Sequence, residues 1–274
     1  MKKITVLILT SLTIKSFSQL PPYELPHYQR AIPNEGVPIA HRYLGESRVP
    51  YSQRIHRVID SRMKQNKDIT WPRNPLNQII WHAVTTGYSD LPRPKAYAND
   101  SLVTIINETL IREKVEKEIW VDVQNPANPL DPNDLIRIPL KEPFDVSTIK
   151  KFRIMEDWIF DAQHSDFRPT IIAIAPLYTM LSETGLELGE AALFWVKMDD
   201  LRPILAQQEV FNRRNDASRL SYDQWFETRN FASHIVKRSN VYDADINQLE
   251  EYRDNGEAAL LESDEIRNDL YVLE

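Results

Sequence analysis

Within fifteen residues, MEDWIFDAQHSDFRP (155–169) gathers one glutamate, three aspartates and a histidine around a tryptophan and two phenylalanines. A pair of carboxylates flanking a scissile bond is what glycosidases use, one donating a proton and the other acting as base or nucleophile. Glu156, Asp157 and Asp161 are therefore the first candidates for acid–base work. Their spacing speaks against it. Residues two apart on a strand share a face, so Asp157 and Asp161 fall on the polar face of an alternating segment. Gln163, His164, Ser165 and Asp166 have the composition of a turn. Glu156 is the exception, because alternation places it on the apolar face with Ile154 and Trp158. A carboxylate there needs a partner such as an arginine, and is either half of a structural ion pair or a perturbed functional acid.

Other chemistries find less support. No histidine is followed by glutamate, so the helical metallohydrolase motif is absent. His56 and Asp60 lie four apart on an expected helix, a spacing that suits an ordinary ion pair as well as two metal ligands. In DADINQLEEYRD, Asp243, Asp245, Asn247 and Asp254 fall at positions one, three, five and twelve of a calcium loop. The sixth position is Gln248 where the sharp turn requires glycine, and an aspartate-capped helix start is the simpler reading. With six glycines in the chain there is no nucleophile elbow, phosphate loop or dinucleotide fingerprint. No catalytic, cofactor-binding or metal-ligating residue is assigned on these grounds.

The elements expected to carry these groups change period along the chain. A helix is expected from about Ser52, where Ile55, Val58, Ile59 and Met63 recur at helical spacing. A second follows Trp71-Pro72, with Leu76, Ile79, Ile80 and Val84 on one face and Gly87 at its end. Between Asp90 and Pro143 come a short extended piece near Tyr97, a charged helix from Ile111 to Trp120, and the turn-rich loop NPANPLDPND. Strands are expected near 152–161, 169–176 and 191–198. Two further helices follow. One is capped by Asp199 or Asp200 with Pro203 in its first turn; the other opens at the capping box Ser221-Tyr-Asp-Gln224 and carries Tyr222, Trp225, Phe226, Ser233 and Val236. The final stretch places Ile266, Leu270 and Leu273 on one stripe. The pattern predicts an α+β fold, a small antiparallel sheet packed with several α-helices behind a proline-rich extended arm.

At 274 residues and 42% hydrophobic content the chain can bury a sizeable core. Lys2 and Lys3, an apolar run from Ile4 to Ile14, and Ser16-Phe17-Ser18 compose a secretory signal peptide over residues 1–18. Its apolar run is shorter than a membrane-spanning helix needs. The chain has no cysteine, hence no disulfides, thiolate ligands or lipid-bearing thiol. Cleavage after residue 18 leaves 30 Lys+Arg against 40 Asp+Glu, a formal charge of −10. So acidic a surface disfavours nucleic acid and anionic headgroups. Six prolines between residues 21 and 50 make residues 19–50 an extended arm, either a linker or a strap along a neighbouring subunit. Residues 51–274 form the remaining domain.

Several stretches together carry a resemblance. RIHRVIDSR (Arg54 to Arg62), EDWIFD (Glu156 to Asp161) followed by Gln163 and the strand IIAIAP, and the long segment from LFWVKM to NVYD resemble the GldN/PorN family of Bacteroidota. Within that last segment, Arg202-Pro203, Leu205-Ala206, Glu209-Val210-Phe211-Asn212, Asn215-Asp216-Ala217, Arg219, Phe226 and Arg229 match the family's pattern. The resemblance runs, with gaps, from about Arg54 to the C-terminus; the loop NPANPLDPND and the region after Asp243 diverge.

The resemblance implies a non-enzymatic periplasmic subunit of the type IX secretion and gliding-motility machinery, associated with the outer membrane through another protein. Its implied partners are an outer-membrane lipoprotein of the GldK/PorK type, further copies of itself in a ring, and periplasmic parts of the inner-membrane motor complex. It implies no cofactor, no nucleic acid and no direct membrane insertion. Two alternatives stand beside it. One is an exported carboxylate-dependent hydrolase acting on cell-wall or extracellular glycans through Glu156 and Asp157; the other is a polysaccharide-binding module built on exposed Trp and Tyr.

Overall fold

A computed structural model describes residues 36–124, 135–182, 186–213, 215, 218–253 and 255–273. The expected signal peptide (1–18), residues 19–35 of the expected arm and the NPANPLDPND loop lie outside the described residues. The fold is α+β, and every strand pairing in it is antiparallel.

The long alternating segment is β6 (Lys151–Asp161), the centre of the main sheet. It pairs on one side with β1 (Tyr51–Asp60) and on the other with β7 (Asp166–Leu181). The segment expected to be a helix from Ser52 is thus a strand. Ile55 to Ile59 are all buried, because both faces of β1 are covered. When apolar residues stand on both faces, i, i+3, i+4 recurrence arises without a helix. The expected helix at Leu76 is present as α1 (Leu76–Thr85), and Gly87 closes it at φ +79°, a left-handed conformation that glycine adopts at little cost.

Next come β2 (Ala96–Tyr97), β3 (Ile105–Ile106) and α2 (Glu108–Val115). The charged helix expected to reach Trp120 stops at Val115, and β4 (Lys117–Gln124) pairs with β5 (Leu135–Glu142) as a separate two-stranded ribbon. The strand expected at 191–198 is divided. β8 (Glu187–Ala192) extends the β7 hairpin, Leu193 and Phe194 break the ladder, and β9 (Trp195–Lys197) rejoins β7 nearer the core. Helix α3 (Met198–Gln207) starts earlier than expected, so Pro203 is its sixth residue rather than part of its first turn.

Short strands β10 (Glu209–Val210) and β11 (Leu220–Ser221) precede α4 (Tyr222–Glu227). The capping box is present, with the Gln224 amide donating to Ser221 Oγ at 3.2 Å and the Ser221 amide donating to Gln224 Oε1 at 3.1 Å. The helix it opens ends at Glu227, however. Val236 belongs to β12 (His234–Arg238), which pairs with β1. Of the C-terminal stripe, α5 (Gly256–Leu273) buries Ile266 and Leu270, together with Ala259, while the Leu273 side chain lies outside the described residues.

The eight-stranded sheet runs β12-β1-β6-β7-β9-β2-β3, with β8 added to β7. Phe152 and Ile154 of β6 pack into the largest apolar cluster, with Leu76 and Ile80 of α1, Leu201 and Leu205 of α3, and Trp225 and Phe226 of α4. Trp158, on the same side of β6, belongs to a second cluster with Ile55, Phe167, Ile235 and the buried stripe of α5. Each such side chain taken from water stabilises the fold by about 1.5–3 kcal/mol. Glu156 lies on that same side, between the two clusters. On the opposite face Tyr97, Met155, Ala173, Ala175 and Trp195 form a smaller cluster.

Candidate functional site

Register fixes the neighbours of Glu156. It stands opposite Ile55 of β1, and Arg57, two residues along β1, stands opposite Ile154, so Arg57 and Glu156 share a face. Glu156 has no exposed surface. The Arg229 guanidinium donates to both of its oxygens, at 3.0 and 3.2 Å, and Trp158 Nε1 donates to Oε2 at 3.2 Å. The partner that alternation required is present, and it is an arginine.

Arg229 reaches this position from the turn that follows α4, where its φ of 51° redirects the chain. Its amide donates to the Phe226 carbonyl at 3.1 Å. Its guanidinium lies 5.7 Å from the centre of the Trp158 ring and 5.2 Å from that of Phe231, a sandwich in which ring quadrupoles support the charge. Arg57 is also buried, at 6% exposure. Its Nε lacks a hydrogen-bond partner. Burial lowers its affinity for the proton most, and Arg229 adds to that; the nearby Glu156 charge works the other way. Arg229 thus binds the carboxylate directly, while Arg57 acts on it through its charge from the neighbouring strand.

The other members of the opening cluster are engaged separately. Arg54 of β1 grips Asp157 with Nε at 2.7 Å and Nη2 at 2.8 Å. Asp161 is the correction. Placed on the wet face by alternation, it is 2% exposed. It accepts the Gln163 amide at 2.8 Å and meets His164 Nδ1 at 2.5 Å, so it organises the turn into β7. The hydrogen bond from His164 is the chief cause of its lowered pKa. Glu156 and Asp157 lie on opposite faces of β6, so they do not form a carboxylate pair across a shared cleft.

His56 and Asp60 do not form a helical pair either. On a strand, four residues span about 13 Å. His56 is buried edge-on against Trp195, with ring centres 5.8 Å apart and Nδ1 unpartnered. Burial, helped by Arg153 and Lys237, lowers its pKa to about 4. Asp60 is held by Arg62. The expected capped start after Asp243 is present as a single 3-10 turn, Ile246–Gln248. The near-miss calcium loop is taken up by cations instead. Asp243 pairs with Lys237, Asp245 takes a two-pronged bond from Arg153, and Asp254 lies outside the described residues. Among the described residues no three His, Asp or Glu side chains cluster as a metal site would need.

One cluster escaped the sequence reading. Asp223, 1% exposed, accepts Arg202 Nε at 2.7 Å and the Ile39 amide at 2.7 Å, while Arg202 Nη2 also donates to the Ile39 carbonyl. His41 Nε2 lies 2.8 Å from Glu227 Oε1. The described end of the proline-rich region is thereby tied to α3 and α4 of its own chain. An interior aspartate and arginine more than twenty residues apart give no periodic signal. Their only trace was that Arg202 stood in the resemblance.

Fold and site together define an α+β protein whose buried charges are spent on holding elements to one another. The chain matches the family described as "Gliding motility associated protein GldN" over residues 44–274, and it belongs to that family. No curated protein matches it. It is a gliding-motility-associated protein, and among the described residues no helix is long and apolar enough to cross a membrane.

Proposed function

We propose that this chain is a non-enzymatic structural subunit of the type IX secretion and gliding machinery. In this reading it is periplasmic and assembles in a ring with an outer-membrane lipoprotein of the GldK/PorK type, in reach of the periplasmic parts of the inner-membrane motor complex. The family match over residues 44–274 carries the reading. The condition of the acidic residues supports it. Glu156, Asp157 and Asp161 are each bound to a neighbour on the same fold, and Glu156 has no open surface toward a substrate.

Deletion of the gene, followed by measurement of exported cargo at the cell surface, tests the role. Loss of cargo delivery, restored by Asp157→Asn as fully as by the unaltered chain, is expected. Normal delivery without the gene, or loss of glycan cleavage in the Asp157→Asn strain, would turn the reading toward the hydrolase.

A further inference from the structure

Of the two arginines near Glu156, only Arg229 is answered. It takes both oxygens of the carboxylate, and Trp158 donates to one of them as well. Arg57 has its Nε buried without a partner, and among the described residues no carboxylate forms an ion pair with it. A guanidinium carries five N–H donors and keeps its charge at any ordinary pH. It cannot escape burial by giving up the proton, as a lysine can, so an unanswered one beneath the surface is costly.

The surroundings of Arg57 lead outward. It stands opposite Ile154 of β6 and Ile235 of β12. The Ile235 amide is bonded to Ser263 Oγ of α5, and Arg267 and Tyr271 follow Ser263 at four and eight residues, along one line of that helix. From the other side comes Arg229, in the turn after α4. Arg229, Arg267 and Tyr271 are all close enough to act electrostatically on Arg57. The Arg229 and Arg267 side chains are 27 and 43% exposed and Tyr271 is 57% exposed, so the way to solvent runs between them.

Counting signs decides the ligand. Three guanidiniums, those of Arg57, Arg229 and Arg267, face two carboxylates, Glu156 bound to Arg229 and Asp264 bound to Arg267 at 3.1 Å. One positive charge is left over, and it is the buried one. We infer that Arg57 is the floor of a binding recess for one carboxylate, which enters between Arg229, Arg267 and Tyr271. A carboxylate brings the single negative charge that is missing, and its two oxygens match the fork of a guanidinium. A phosphate dianion brings a second charge toward Glu156 and fits less well. In the assembly proposed above, an acidic side chain of a neighbouring subunit supplies the group; that source rests on the structural role, whereas the binding itself does not.

The test compares urea midpoints of the full-length chain in acetate and in chloride at equal ionic strength, for the unaltered chain and for Arg57→Met. With a dissociation constant of about 10 mM, acetate at about 0.1 M multiplies the folded-to-unfolded ratio about tenfold over chloride. That gain is expected in the unaltered chain and absent from Arg57→Met, whose midpoint in chloride should not fall, because the substitution removes an unanswered charge. Phosphate is expected to give a smaller Arg57-dependent gain. Should the variant fail to fold, the Nε–H resonance of Arg57 in the unaltered chain still reports: it should shift and saturate with acetate, while that of the exposed Arg62 should not. An acetate gain that survives in Arg57→Met, or an Arg57 resonance indifferent to acetate, would overturn the inference, and a larger Arg57-dependent gain from phosphate would overturn the choice of a carboxylate. A blocked glutamyl tripeptide run beside acetate separates the sources: tighter binding of the peptide supports a partner's side chain, and equal binding supports a free organic acid. Because these readouts use the isolated chain, their failure leaves the secretion role standing, and normal cargo delivery without the gene leaves the acetate result unaffected.

Discussion

Glu156 is the residue whose chemistry was most open, and its surroundings give it a structural task. A functional acid is commonly held in an unfavourable setting, so that neutralising it costs no stability or adds some. An ion pair buried with good geometry behaves in the opposite way, and removing one partner leaves the other uncompensated. Arg229→Ala strands a carboxylate that has no exposed surface, and it should cost about 3–5 kcal/mol in urea unfolding. Glu156→Gln keeps the shape and the Trp158 contact and should cost about 1–2 kcal/mol. A stability gain from Glu156→Gln would contradict the structural role. His56 supplies a second residue-scale test. Its folded pKa of about 4 lies below the ordinary histidine value of 6.5. Between those two values the unfolded chain binds the proton that the folded chain refuses, so this contribution is complete above pH 6.5 and is lost as pH falls toward 4. The loss amounts to at most about 3 kcal/mol. Replacing His56 by Leu should flatten the fall in stability across that window, measured by urea midpoints at pH 7, 5.5 and 4.5. An unchanged slope would show that His56 does not resist protonation in the folded chain.

Among the elements, legibility in the sequence followed how many faces each one buries. β6 reads plainly as a strand because Phe152, Ile154 and Trp158 alternate with Arg153 and Asp157, and that alternation also located Glu156 and its need for an arginine. β1 was misread because both of its faces are covered. β12 was absorbed into the preceding helix because a five-residue strand with buried Ile235 and Lys237 shows no periodicity of its own. The hand-over from α2 to β4 turns on the single residue Glu116, too short a link for a window of apolar residues to register. Long-range polar contacts, such as Arg202 with Asp223 or Arg229 with Glu156, leave no local pattern at all. One such contact protects a sheet edge: the Ile235 amide, on the outer edge of β12, donates to Ser263 Oγ of α5 at 3.0 Å. Covering an edge in this way blocks unwanted strand addition. Ser263→Ala should leave that buried amide unsatisfied at a cost of about 1–3 kcal/mol. Faster hydrogen exchange at Ile235 should accompany it. Unchanged exchange there would show that α5 does not seal the edge through Ser263.

At the scale of the whole molecule, the few charges that are buried and paired join elements to one another, while some apolar side chains stay outside. The Glu156–Arg229 pair lies between the two halves of the core, the Arg202–Asp223 pair ties down Ile39, and Glu227 holds His41. Meanwhile Ile136, Ile138 and Leu140 remain exposed on the ribbon. That arrangement suits a part that is held rigid and built into something larger. The family match places the chain among gliding-motility-associated proteins, and the proposed ring role makes a demand on its physical state in the cell. The most direct measurement is gentle solubilisation of envelopes from cells expressing the tagged full-length chain, followed by sizing and by identification and quantitation of what co-purifies. The account predicts a large assembly containing many copies of the chain and a lipid-anchored outer-membrane partner in fixed proportion. A soluble, freely diffusing monomer with no membrane-anchored partner would contradict it.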